Sequence, residues 1–245
     1  MNFTYESFEK LINLLRDNGY HICNYDNWKE MPGRKVILRH DIDNSIGKAV
    51  DLSNIEHKVG AHSTFFVLLS SDFYNVFSLR NIRSLDKILQ NDSLLGLHFD
   101  EMRYPDEAGN PDRIIERIIH EKRALELALG IEINMVSMHR PTKEIINADL
   151  KIPGMINSYN SVFFREFKYL SDSRRRWREP VEDIIKTKEY DKLHILTHAF
   201  WYSKNETDIG TTVESFVNHA NHERYLSMSA NITDFESIMS EKKIR

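Results

Sequence analysis

The chain is nearly free of cysteine, since Cys23 is the only one among 245 residues. A single cysteine excludes an intramolecular disulfide and a cysteine cluster for a metal. No apolar stretch is long enough to span a membrane. The N-terminus also lacks the basic start and apolar run of a signal peptide. These absences predict a cytoplasmic protein with no membrane span.

A large excess of one charge is also absent, because 33 basic residues face 37 acidic ones and the formal net charge is −4. This balance predicts no nucleic acid partner. The nearest approach to a basic cluster is Arg174, Arg175, Arg176 and Arg178. Four arginines in an acidic chain fit a local anion site or a solvated face.

Glycine and proline are sparse, with nine and six residues, and neither gathers into a linker. The sequence also has no internal repeat and no low-complexity segment. We therefore predict a single domain over residues 1–245. Within it, residues 1–30 form an N-terminal helical extension and residues 31–245 form the main body.

Six short apolar runs predict buried β-strands. They are apolar throughout rather than alternating, which is typical of a sheet that helices cover. The runs are VILRHD at 36–41, STFFVLL at 63–69, LLGLH at 94–98, NMVSMH at 134–139, LHILTH at 193–198 and YLSMS at 225–229.

Helical patterns separate these runs. Asn110 and Pro111 begin the clearest helix, which presents an isoleucine- and leucine-rich face and ends at Gly130. Further helices are predicted at 4–17, between 43 and 58, and after capping boxes of Thr211 with Glu214 and Thr233 with Glu236. Alternating strands and helices predict an α/β fold with a parallel sheet, either a barrel or an open doubly wound sheet.

Polar side chains mark the ends of several predicted strands. The carboxyl ends of parallel strands meet at one edge, where α/β proteins build their sites. The first run ends in RHDID, and four ionisable residues in five positions are costly to bury unless they are paired or bind a cation. The residues predicted to converge are Asp41, Asp43, His98, His139, Arg140 and His198.

Any one of these residues alone would fit a helix cap or a hydrogen-bonded core position. Their joint placement favours a site. Histidine with aspartate and no cysteine suits zinc or another borderline divalent ion with an open coordination position. Such an ion polarises a carbonyl and activates water, while a carboxylate and a histidine transfer protons. The pattern therefore predicts hydrolysis of an amide or ester.

These motifs resemble those of the polysaccharide deacetylase family and occur in the family's order. RHDID stands at the aspartate-pair motif, GLHFDEM at the histidine motif, Arg140-Pro141 at the Arg-Pro motif, SDSRRRW at the Asp…Trp motif and LTH at the last. Together they span roughly Val36 to Tyr202. The resemblance implies a distorted (β/α) barrel of the polysaccharide deacetylase type. It also implies a hydrolase that removes an acyl group, in the first place acetyl, from an N-acylated sugar. The motifs are most similar to a divergent subgroup associated with glycan biosynthesis.

The resemblance further implies a role for each site residue. Asp41 is the expected base, Arg140 orients it, and His198 is the general acid. Asp43 and His98 are expected to bind a divalent metal, zinc in the first place, with nickel, cobalt or manganese as alternatives. The pocket-lining residues are expected to be Asp172, Trp177, Trp201 and Tyr202.

Two departures from the family's pattern bear on the metal. Met102 stands four residues after His98, where the family has a second histidine ligand, and Asp43 lies one residue later than its counterpart. Either His139 or Asp100 replaces the missing ligand, or the metal is bound weakly or not at all. We predict His139, because it ends a strand beside the Arg-Pro motif.

The expected substrate is an N-acylated sugar or nucleotide sugar, whose phosphate the arginines at 174–178 could bind. Two other functions fit the same residues. One is a non-catalytic, glycan-binding relative that has lost the metal, which Met102 favours. The other is an amidohydrolase that acts on a small non-sugar amide. The sequence leaves the oligomeric state open.

Overall fold

A computed structural model describes residues 1–244 of the chain. Contacts between residues divide the chain into two compact units, Met1–Lys204 and the residues from Asn205 onward. The assignment of a single domain over 1–245, with an extension at 1–30, stays a prediction.

The first unit is built on a parallel sheet of eight strands. The strands are β1 His21–Cys23, β2 Lys35–Ile42, β3 Thr64–Leu68, β4 Leu94–Phe99, β5 Met135–Met138, β6 Ile156–Asn157, β7 Lys168–Ser171 and β8 Lys192–Thr197. They follow the order β6-β5-β4-β3-β2-β8-β7, and β1 pairs with β2 beside this path. The sheet curls into a half-barrel with helices outside, which confirms the predicted distorted (β/α) barrel.

Strand β2 lies at the centre of the sheet and has three neighbours. Along one edge it pairs with β8. Along the other edge, its first residues pair with β1 and its last residues pair with β3, beginning at Arg39 opposite Thr64. All eight residues of β2 are buried. The strand therefore delivers its final polar residues to the middle of the carboxyl edge.

Seven helices accompany the sheet in this unit: α1 Tyr5–Asp17, α2 Ile46–Lys58, α3 Leu79–Gln90, α4 Pro111–Leu129, α5 Lys143–Asn147, α6 Ser161–Arg165 and α7 Val181–Thr187. Thr4 and Asn110 accept hydrogen bonds from backbone N–H groups in the first turns of α1 and α4. Gly130 ends α4 in the left-handed conformation, with φ of 68°. The predicted bounds of these two helices are confirmed.

The alternating side chains of β2 enter two different cores. Val36 and Leu38 pack with apolar residues of α1 to α4, outside the sheet. Ile37 instead joins a second apolar cluster with Phe66 and Met135. Because side chains alternate along a strand, Arg39 and Asp41 share the inner side with Ile37. The inner side thus changes from apolar to charged towards the carboxyl edge.

Gly96 on β4 leaves room for the ring of Phe66. A Cβ atom at position 96 would lie 2.5 Å from Cε1 of Phe66 and 3.1 Å from the carbonyl oxygen of Met135. Because a side chain at Gly96 would displace this ring, glycine is needed here for packing.

The second unit contains α8 Ile209–Asn231 and α9 Phe235–Ile238. The predicted strand YLSMS at 225–229 is therefore wrong, because it lies inside α8. A short apolar run cannot distinguish a strand from part of a helix. Here Tyr225 is buried while Leu226 is 51% exposed. The run is therefore not buried throughout, as the predicted strand would be.

The two predicted capping boxes in this unit are also wrong. Asp208 caps α8 and accepts a hydrogen bond from the backbone N–H of Thr211. Asp234 precedes α9 in a left-handed conformation, with no side-chain cap. None of the described helices has both the length and the apolar composition needed to cross a bilayer.

Candidate active site

Three side chains from three strand ends meet at the carboxyl edge of the sheet. Oδ1 of Asp43, just after β2, lies 3.2 Å from Nε2 of His98 on β4. It lies 3.3 Å from Nδ1 of His139, which follows β5. The two imidazole nitrogens are 3.2 Å apart. All three donor atoms lie within 4.8 Å of one another, so they could share one metal ion.

Backbone contacts hold His98 and His139 at the ends of their strands. Nδ1 of His98 lies 3.3 Å from the carbonyl oxygen of Ser137. A carbonyl only accepts, so this nitrogen carries a proton, and Nε2 is the nitrogen that faces Asp43 and His139. The backbone N–H of His139 donates to the carbonyl oxygen of Phe99, at 2.8 Å. This bond holds the end of β5 beside β4.

The carboxylate of Asp43 fits a bound cation. Its Oδ1 is buried and faces the two imidazole nitrogens at 3.2 and 3.3 Å. Burial alone would raise the pKa of Asp43, but His139, His98 and His198 hold it far below its ordinary value. A buried, ionised carboxylate oxygen that faces two imidazole nitrogens is a donor set suited to zinc and similar ions.

Asp41 lies beside this group and is held by Arg39. Nε of Arg39 donates to Oδ1 of Asp41 at 2.9 Å, and Nη2 donates to Oδ2 at 2.7 Å. Oδ2 also lies 3.5 Å from Nε2 of His98. Burial would raise the pKa of Asp41, but the charges of Arg39, His98 and His198 lower it below its ordinary value. The carboxylate is therefore ionised at neutral pH.

Arg140 does not orient Asp41, so that expectation is wrong. Its Nε donates to Oδ1 of Asp100 at 3.2 Å, and Nη2 donates to Oδ2 of the same carboxylate. The side chain of Arg140 is 60% exposed. Asp100 is occupied by this ion pair, and His139 rather than Asp100 lies in the group with Asp43. Met102, 38% exposed, lies on the turn after β4 and outside that group.

His198 faces the group from β8, and Asp172 supports it from β7. Nδ1 of His198 lies 2.7 Å from Oδ1 of Asp172, and its backbone N–H donates to the same carboxylate. Nε2 is 3.9 Å from Oδ2 of Asp43. Burial would lower the pKa of His198, but Asp172, Asp43 and Asp41 raise it to about 9. The imidazole can therefore hold a proton on the nitrogen that faces the site.

Two of the four residues predicted to line the substrate pocket are wrong for that role. Asp172 and Tyr202 have no exposed surface. Asp172 supports His198, and the ring of Tyr202 packs against those of Phe3 and Phe8 at centroid distances of 5.5 Å. Both side chains are fully buried, so neither presents surface to a sugar.

The other two predicted pocket residues stay candidates. Trp177 and Trp201 are half-buried and pack against the outer apolar core. Sequence reasoning missed Arg39 as the partner of Asp41. The available signal was strand alternation, which puts positions 39 and 41 on the same side of β2.

Comparisons with known proteins give weak structural likenesses. No family model matches the chain, and no curated protein matches its sequence. The deacetylase PplD of Streptococcus pyogenes is 13% identical, with a TM-score of 0.45, over 79% of this chain and 80% of that one. The peptidoglycan deacetylase PdaC of Bacillus subtilis is 15% identical, with a TM-score of 0.45, over 81% and 98%.

A CE4 family pseudoenzyme from Bacillus anthracis is 14% identical, with a TM-score of 0.46, over 78% of this chain and 62% of that one.

Proposed function

We propose that this chain is a metal-dependent hydrolase that removes an acyl group, in the first place acetyl, from an N-acylated sugar. One observation carries the proposal: Asp43, His98 and His139 present three donor atoms within 4.8 Å of one another. Asp41 lies on one flank of this group and His198 on another. The arrangement supplies a cation site, a base and an acid.

Asp43, His98 and His139 would hold the ion. A bound divalent ion, zinc in the first place with nickel, cobalt or manganese as alternatives, would polarise the acyl carbonyl and lower the pKa of water. One carboxylate and two imidazoles leave coordination positions open for water and substrate.

Asp41 acts as the general base in this proposal and takes the proton from the attacking water. Its carboxylate is ionised, and Arg39 fixes its orientation through two hydrogen bonds. The same guanidinium donates to Oγ of Ser158 at 3.1 Å, so three bonds anchor it. The base therefore needs little reorganisation before the reaction.

His198 acts as the general acid and protonates the departing amine. Asp172 fixes the tautomer, because its carboxylate accepts the proton of Nδ1. In the protonated imidazole, Nε2 carries the second proton towards the site. Placing the acid and base on separate strand ends lets a carbonyl substrate lie between them.

Two features support a sugar as the substrate. The five motifs that resemble the polysaccharide deacetylases span roughly Val36 to Tyr202. The half-buried indoles Trp177 and Trp201 could stack on the apolar face of a sugar ring. The cytoplasmic location and a role in glycan biosynthesis stay predictions.

Acetate release from N-acetylated sugars tests the proposal. Asp41→Asn keeps the shape of the side chain but removes the base, so we expect a loss of about 10²-fold or more in kcat. Bound metal should stay unchanged. The control is Asp106→Asn, an exposed site with no described ion pair. Activity of Asp41→Asn near that of the control would show that Asp41 is not the base.

Two other outcomes would assign a different function. One is a protein that binds N-acetylated sugars but does not bind metal and does not release acetate. It would be the non-catalytic relative that Met102 favours. A protein that binds metal and hydrolyses only small non-sugar amides would be an amidohydrolase of another class.

A further inference from the structure

The segment 173–178 begins two residues after the end of β7, at the carboxyl edge of the sheet. Its predecessor in the chain, Asp172, supports His198. Exposure alternates along the segment: Ser173, Arg175 and Trp177 are half-buried, whereas Arg174, Arg176 and Arg178 are exposed. The guanidinium of Arg175 lies 5.1 Å from the ring centroid of Phe3. The half-buried residues thus anchor the segment, and the other three arginines face solvent.

No described acidic side chain pairs with Arg174, Arg176 or Arg178. Glu179, the next residue in the chain, pairs with Lys168 at 2.6 Å. By contrast, Arg39 pairs with Asp41 and Arg140 with Asp100. Three positive charges within five residues repel one another, and an anion placed among them would relieve that repulsion.

The backbone of the segment takes an unusual shape. Arg174 and Arg175 both have left-handed conformations, with φ of 60° and 55°. Residues with a Cβ atom rarely adopt this region, and two in succession are rarer. Ser171 Oγ accepts from the backbone N–H of Ser173 at 3.1 Å, and the N–H of Arg176 donates to the carbonyl oxygen of Asp172 at 3.2 Å. The turn is therefore fixed beside the residue that supports His198.

We propose that Arg174, Arg176 and Arg178 bind a phosphate or diphosphate group carried by the substrate. This inference rests on the proposed function and adds to it that the N-acylated sugar is an anionic, phosphate-activated one. Guanidinium groups match phosphate oxygens in geometry and charge. The diphosphate of a nucleotide sugar and that of a lipid-linked sugar share this chemistry.

Calorimetric titration with inorganic pyrophosphate and with UDP tests the proposal independently of catalysis. The test variant is the triple change Arg174→Gln, Arg176→Gln and Arg178→Gln. The control, with the same change in net charge, is Arg83→Gln, Arg123→Gln and Arg165→Gln, which are exposed arginines elsewhere with no described ion pair. We expect saturable pyrophosphate binding that weakens about tenfold or more in the test variant and not in the control.

Tighter binding of UDP than of pyrophosphate would support a nucleotide sugar, and equal binding would support a carrier recognised by its phosphates alone. Equal loss in the two triple variants, or no saturable binding to the wild type, would overturn the proposal.

Rates of acetate release separate this inference from the proposed function. If free N-acetyl sugars and their diphosphate-linked forms release acetate at equal rates, the proposed phosphate site is wrong, whereas the proposed hydrolase activity is supported. If pyrophosphate binding depends on these arginines but no N-acetyl sugar is hydrolysed, the phosphate site stands and the hydrolase is wrong.

Discussion

Arg39 and Asp41 lie two residues apart on β2 and form a bidentate ion pair inside the curled sheet, with both side chains almost entirely buried. The pair leaves one edge of Asp41 facing His98. The rings of Phe66 and Tyr159 lie 5.5 and 5.1 Å from the guanidinium carbon. The strand thus carries both the proposed base and the group that orients it.

Replacing Arg39 should impair the base without emptying the cation site. Arg39→Lys keeps the charge but cannot make two parallel hydrogen bonds to one carboxylate. A displaced Asp41 should lower kcat by about 10²-fold, with metal content unchanged. Steady-state kinetics and metal analysis on the same preparation would measure both. The matched control is Arg140→Lys, which should stay close to wild type because Arg140 does not touch Asp41.

Asp172 should matter for catalysis through His198. Asp172→Asn removes the negative charge that holds the imidazole protonated and can reverse its tautomer. We expect kcat to fall by about 10²-fold or more. We also expect a loss of thermal stability, because the buried pair with Asp172 raises the pKa of His198 to about 9 and so stabilises the folded state. Asp183→Asn on α7, which has no described ion pair, is the control. Wild-type kcat in Asp172→Asn would remove Asp172 from the proposed mechanism.

Gly96 should be sensitive to the addition of one methyl group. In Gly96→Ala, the new Cβ would overlap the ring of Phe66, and such overpacking costs about 1–3 kcal/mol. The free energy of unfolding in urea would measure the loss. Phe66→Leu in the same chain should recover part of it. Additive losses in the double variant would show that the two positions do not interact.

His194 on β8 should make stability depend on pH. Burial and the charge of Arg39 lower the pKa of His194 to about 3. Its Nδ1 lies 3.3 Å from the carbonyl oxygen of Phe163, and Nε2 lies 2.7 Å from the hydroxyl of Tyr25. The folded protein therefore keeps this imidazole neutral, whereas the unfolded chain protonates it with a pKa of about 6.5.

The stability that this difference provides is complete above about pH 6.5 and declines as the pH falls towards about 3. Between about pH 7.5 and 5, His194 should account for a loss of about 2 kcal/mol. His194→Gln, which can keep both hydrogen bonds but does not titrate, should lose less over the same interval. Urea unfolding of both proteins at the two pH values measures the difference. Parallel pH dependences would mean that His194 does not contribute.

Much of the fold could be predicted from local patterns. Asn110, Pro111 and Gly130 define α4 because capping and the left-handed ending are properties of the residues themselves. The runs that became β2, β3, β4, β5 and β8 are apolar and buried on both sides. Strands β1, β6 and β7 were missed because they have two to four residues and less apolar character, and their positions depend on pairing with longer neighbours.

The sequence predicted which residues would lie at the candidate site better than it predicted which side chains would contact one another. The strand ends indicated that Asp43, His98 and His139 would converge, since parallel strands share one carboxyl edge. Which arginine would hold Asp41 depended on side-chain direction inside the curled sheet. The burial of Tyr202 could not be predicted either, because it depends on packing against Phe3 and Phe8.

Metal binding by purified protein tests the central claim most directly. After removal of metal with a chelator and titration with zinc, the account predicts one tightly bound ion per chain. It also predicts loss of that binding in Asp43→Asn and His139→Gln, with retention in Asp41→Asn. No stoichiometric binding, or undiminished binding in a variant lacking both Asp43 and His139, would contradict it.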